Sequence, residues 1–118
     1  MPNREAKAAS RSDVLQGTLD LMVLQTLAAI GQSHGYAIAA RIEQVSHGAI
    51  QLNMGTLYPA LVRLGHRGFI RGKWDTTGNN RRARFYQLTA AGRKQLKIER
   101  AGWEHMAEIM YRLLSNNF

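Results

Sequence analysis

Arg81, Arg82 and Arg84, with Asn79 and Asn80 just before them, form the densest run of charged and hydrogen-bonding side chains in the sequence. A guanidinium bonds a phosphate through two N–H groups or enters a narrow minor groove. Arg82 and Arg84 are two residues apart, so they share one face of a strand, and Phe85 takes the opposite, inward parity. The chemistry on offer is recognition of a polyanion, with Asn80, Arg81, Arg82 and Arg84 as contacts; an ordinary solvated hairpin is the alternative. A second polar group lies upstream. Asn53, Thr56 and Tyr58 are short or flat groups suited to base edges and phosphates, and Arg63 and Arg67 follow one and two turns later. The alternative here is that Tyr58 packs under its own helix and Asn53 merely caps it.

Other chemistries find no support. His34, His47, His66 and His105 are scattered, and no pair has metal-ligand spacing with a third ligand. His34 stands in the turn before a helix, where local structural support is the expected role. There is no cysteine, so thiol nucleophiles, disulfides and cysteine-bound zinc or iron–sulfur sites are excluded. A glycine-rich phosphate loop, a Ser/His/Asp arrangement and a pair of catalytic carboxylates are also missing. The expectation is a protein without enzymatic activity, cofactor or metal.

The charge balance agrees. The chain has 118 residues and a net charge of +8, with a pI near 10.6. Half of the excess falls in residues 69–88, where five basic residues face Asp75 alone. Such a surplus points first to nucleic acid and second to an anionic membrane surface. Hydrophobic residues make up 45% of the chain, enough for a core. No apolar run approaches the ~20 residues of a membrane span. The first residues lack the apolar stretch of a secretory signal. A cytoplasmic, nucleoid-associated protein is expected.

The elements that position these groups follow from periodicity. Residues 1–11 are polar and small and read as a flexible basic arm, in which Arg4, Lys7 and Arg11 add non-specific attraction to phosphate. Ser12 or Asp13 caps a helix that runs to residue 30. Its apolar residues cover more than one face, so one side meets its own domain and the other, with Leu15 and Leu19, meets another chain. A second helix spans residues 36–46 and a third residues 53–67. With Thr56 as the effective N-cap, Pro59 falls at the third helical position, where no N–H is needed. The period then switches from 3.6 to 2: strands at 69–74 and 82–88 flank a loop and make a β-hairpin. Thr89 caps a final helix over residues 90–114. Its seam, Leu96, Trp103 and Met110 with Met106 and Leu113 between, is an a/d repeat interrupted by Glu99, the pattern of a helix that packs along a partner helix. Three helices followed by a basic hairpin is the layout of a winged helix-turn-helix. The fold class is mainly α (α+β), with residues 12–88 as the DNA-binding domain and 89–118 as a C-terminal dimerisation helix.

The strings GTLDLMVLQTL, HGYAIAARIE, GTLYPALVRLGHRGFI and RRARFYQLTAAGRKQL, with the late Trp103, resemble the PadR family of bacterial transcriptional regulators over residues 14–114. The resemblance implies a homodimer on double-stranded DNA with a pseudo-palindromic operator. It also implies repression of a nearby operon, relieved by a small aromatic or amphiphilic effector. The single C-terminal helix resembles a compact subfamily in which the first and last helices build the dimer interface. In multidrug-binding members a Trp in the matching helix stacks on flat ligands, which implies effector contact for Trp103. Those members carry an acidic residue four positions later; here it is Ala107, flanked by Glu104 and Glu108, so cationic drugs do not carry over as the ligand class. An effector-free architectural DNA-binding protein is the alternative function.

Overall fold

The computed structural model describes residues 11–115, with side chains from residue 17 onward. Arg4 and Lys7 of the expected arm lie outside the described residues, as do the side chains of Arg11, Ser12, Asp13 and Leu15. Helix α1 spans Arg11–Ile30. Ser12 and Asp13 therefore sit inside its first turn and do not precede it. Leu19, Val23, Leu24 and Leu27 are buried, and α1 packs on every other helix of the fold. Thr26 is also buried and returns its hydroxyl to the Met22 carbonyl (2.7 Å), which satisfies it without a partner outside the helix.

A two-residue strand, β1 (Ser33–His34), leads into α2 (Gly35–Val45). His34 is the N-cap: its Nδ1 accepts from the Ala37 N–H at 3.2 Å. Helix α2 buries Ile38 and Ile42. Helix α3 (Met54–His66) is capped by Asn53, whose Oδ1 accepts from the Thr56 N–H at 2.9 Å. The cap is thus three residues earlier than Thr56, and Pro59 is the sixth helical residue. Its ring removes the hydrogen bond that the Gly55 carbonyl would otherwise receive. Packing of Leu57, Ala60, Leu61 and Leu64, all at most 1% exposed, keeps the helix continuous across that gap.

Strands β2 (Ile70–Thr76) and β3 (Arg82–Leu88) form the hairpin, and β1 adds to its other side, giving the antiparallel order β1–β3–β2. The third strand is too short for any periodicity to announce it. Burial reverses the expected parity of β3. Tyr86 and Leu88 are buried in the core, so the inward face is that of Arg82 and Arg84. Phe85 lies on the opposite face, paired with His34 in register and meeting its ring edge-on at 5.3 Å.

Helix α4 (Ala90–Ser115) starts at a crowded junction. Thr89 Oγ1 accepts from the Gly92 N–H (3.0 Å) and donates to the Gly68 carbonyl (2.6 Å), joining the helix to the end of α3. A Cβ on Gly92 would collide with the Phe69 carbonyl, so only glycine allows this approach. Within α4 only Gly92 and Leu96 are buried. Leu19 and Leu96, expected at the dimer interface, are buried in the chain's own core. Beyond Leu96 the helix carries Trp103, Met106, Met110 and Leu113, about half exposed or more, with Trp103 and Met106 still beside α1.

Candidate nucleic-acid interface

Helix α3 presents a polar outer face because its apolar residues are consumed by the core. Thr56 and Arg67 are exposed, and Tyr58 is 52% exposed. Tyr58 therefore does not pack under the helix. Asn53 does cap it, as the simpler reading holds; its carbonyl oxygen is occupied, while its amide N–H groups remain available to a partner. Arg67 stands at the C-cap with its guanidinium carbon 4.8 Å from the Phe69 ring centroid. Arg63 departs from expectation. Its Nη2 donates to Asp20 Oδ1 at 2.7 Å and its Nε faces Oδ2 at 3.5 Å. The guanidinium is engaged with α1, because a half-buried carboxylate one helix away competes for the same N–H groups.

The hairpin supplies the other half of the face. Its tip is closed by Thr77, whose N–H donates to the Arg81 carbonyl (2.7 Å) and whose carbonyl accepts from Asn80 (3.0 Å). Asn80 adopts a positive φ of 63°, a conformation Asn tolerates better than most residues. Arg81, Arg82 and Arg84 are all exposed. Among the described residues, ion pairs join Arg63 to Asp20, Arg100 to Glu104 and Arg112 to Glu108, and none uses a cation of the hairpin. Asp75, the one acid there, accepts from the Thr76 N–H. The positive field of the tip is therefore left unneutralised by neighbouring carboxylates.

Between α3 and the hairpin runs a groove of about 480 Å³, with Tyr58 and His66 on the helix side and Arg71, Trp74, Arg84 and Tyr86 on the strand side. Tyr58 and Arg84, far apart in sequence, thus face one space. Burial pushes the Tyr86 phenol above its ordinary pKa, while the Arg84 charge opposes that rise. The phenol is neutral near pH 7 and does not quench Arg84. The sequence alone does not single out Trp74. Counting the β2–β3 register back from the tip, which sets Trp74 opposite Arg84, is the signal that finds it.

Trp103 lies elsewhere. It lines a cleft of about 490 Å³ with Leu21, Met22, Ile42, Val45 and Ile50, between α1, α2 and α4. This face is apolar, the opposite in character to the α3–hairpin face. No described helix is long and apolar enough to cross a membrane.

Residues 23–98, well over half of the chain, match the Transcriptional regulator PadR-like family. Solved structures are similar over most of their length. A transcriptional regulator from Clostridium thermocellum is 28% identical, with a TM-score of 0.75, covering 85% of this chain and 96% of its own. A PadR family transcriptional regulator from Eggerthella lenta is 29% identical, with a TM-score of 0.73 and 96% of each chain covered. A PadR family transcription regulator from Clostridium difficile is 25% identical, with a TM-score of 0.69, covering 82% of this chain and 98% of its own. No curated protein matches the sequence.

Proposed function

Because the chain belongs to the PadR-like family of transcriptional regulators, a family of DNA-binding regulators and not of enzymes, we propose that it acts as a homodimeric, effector-responsive repressor of a nearby operon. The observation that carries this reading is the segregation of two faces. The polar half of α3 and the hairpin arginines, which have no carboxylate partner among the described residues, border one groove, and α4 carries a separate apolar stripe.

On this reading α3 enters the major groove with Asn53, Thr56 and Tyr58 toward base edges and Arg67 toward the backbone. Asn80, Arg81, Arg82 and Arg84 of the wing engage the adjacent phosphates or minor groove. Arg63 is left to hold α3 in place. A second copy covers Trp103, Met106, Met110 and Leu113, together with the N-terminal part of α1 that includes Leu15. A stripe of this kind, 49–67% exposed, is what a seam helix shows before its partner is added. A small aromatic or amphiphilic effector enters the Trp103 cleft. It acts by binding unequally to DNA-competent and DNA-incompetent dimer geometries.

Footprinting on the DNA upstream of the protein's own gene tests the reading. Two protected blocks about one helical turn (~34 Å) apart are expected from a symmetric dimer. A single block, or uniform weak protection, contradicts it.

A further inference from the structure

Trp74 is 56% exposed, so core burial does not account for it. It lies directly opposite Arg84 across the β2–β3 ladder and diagonal to Arg82. Both guanidinium carbons stand by its indole, at 5.3 Å for Arg82 and 5.9 Å for Arg84 from the ring centroid. Both distances lie within the range at which the negative face of an indole attracts a cation. Gly72, two residues earlier on the same face, completes the seat. A Cβ there would stand 2.7 Å from Nε and 3.1 Å from Cζ of Arg84. Arg84 thus lies across a strand position that carries no side chain, between Trp74 and the buried Tyr86. Two like charges held close together repel, and a free arginine samples many rotamers. A ring that attracts both cations offsets the repulsion and limits that sampling before any phosphate arrives.

We propose that Trp74 is a positioning residue for DNA binding: its indole holds the Arg82 and Arg84 guanidinium groups ready for phosphate, and Gly72 keeps open the space in which Arg84 lies. The inference rests on the reading of the wing as a DNA-contacting element. Trp74 acts through the arginines, so its removal changes affinity without changing the charge of the protein.

The test is fluorescence anisotropy of the full chain with a labelled random-sequence duplex of about three helical turns (~30 base pairs). Trp74→Ala is expected to weaken binding about five-fold, and Trp74→Phe, which keeps an aromatic face, less than about two-fold. Gly72→Ala, which alters no charge and no ring, is expected to weaken binding by about two-fold or more, because Arg84 must leave its seat. In the background of Arg82→Ala with Arg84→Ala, Trp74→Ala is expected to have no further effect. Equal losses from Trp74→Ala in both backgrounds would make Trp74 a DNA contact in its own right and overturn the proposal. Unchanged affinity of Gly72→Ala would overturn it also, in a variant whose fold is not at risk. If instead Arg82→Ala with Arg84→Ala binds like the parent, the DNA-contacting reading of the wing is what fails.

Discussion

The Arg63 guanidinium meets the Asp20 carboxylate at 2.7 Å, joining α3 to α1, the helix that packs on the other three described helices. The side chains are 32% and 15% exposed, so water screens the pair only in part. Removing Asp20 strands a half-buried cation against α1, whereas removing both partners does not. We expect Asp20→Ala to destabilise the protein by about 1–2 kcal/mol, and the addition of Arg63→Ala to recover part of that loss. Urea unfolding of the two single variants and the double variant measures it. Strict additivity would mean that the pair is not coupled.

The wing makes a separate prediction. Arg81→Ala together with Arg82→Ala removes two exposed cations that have no carboxylate partner among the described residues. Affinity for duplex DNA should fall, and the slope of log affinity against log salt should flatten by roughly 0.9 for each phosphate no longer neutralised. Anisotropy titrations across a salt series give both quantities. An unchanged slope would place these arginines away from the DNA backbone.

Trp103 is 54% exposed in the single chain, at the start of the exposed apolar stripe of α4. A carboxylate there should leave the domain core intact and prevent the seam from closing. Trp103→Glu is therefore expected to be a folded monomer. Sedimentation velocity reports the mass and circular dichroism the helix content; a variant that remains dimeric contradicts the assigned interface.

Gly92 tests the junction between α4 and the domain. A Cβ at this position runs into the Phe69 carbonyl, backbone that cannot step aside as a flexible side chain would. Gly92→Ala should cost about 1–3 kcal/mol, although Ala is the better helix former by about 1 kcal/mol. A denaturation midpoint equal to or above that of the parent would show that the junction yields.

Much of this organisation is legible in the residues, and the rest is not for identifiable reasons. Apolar spacing and the switch of period at residue 69 locate helices α1 to α4 and the hairpin. Strand β1 escapes because two residues carry no period. Leu19 and Leu96 sit on correct apolar stripes, but periodicity cannot say whether a stripe meets its own chain or another; here both are buried in the chain's own core cluster. Phe85 looks like the inward member of its strand, yet Tyr86 and Leu88 take the core face and Phe85 meets the His34 ring on the other. The engagement of Arg63 with Asp20 spans 43 residues and has no local signal. Trp74 becomes visible only once strand register places it beside the wing arginines.

On the proposed function this chain reads a specific DNA sequence as a dimer. Competition anisotropy tests it most directly, with a duplex from the region upstream of its own gene set against a shuffled duplex of the same length and salt. A preference of at least ~10³-fold for the upstream sequence is predicted for a sequence-specific repressor. Equal affinity for the two duplexes would contradict the account and leave an architectural DNA-binding protein in its place.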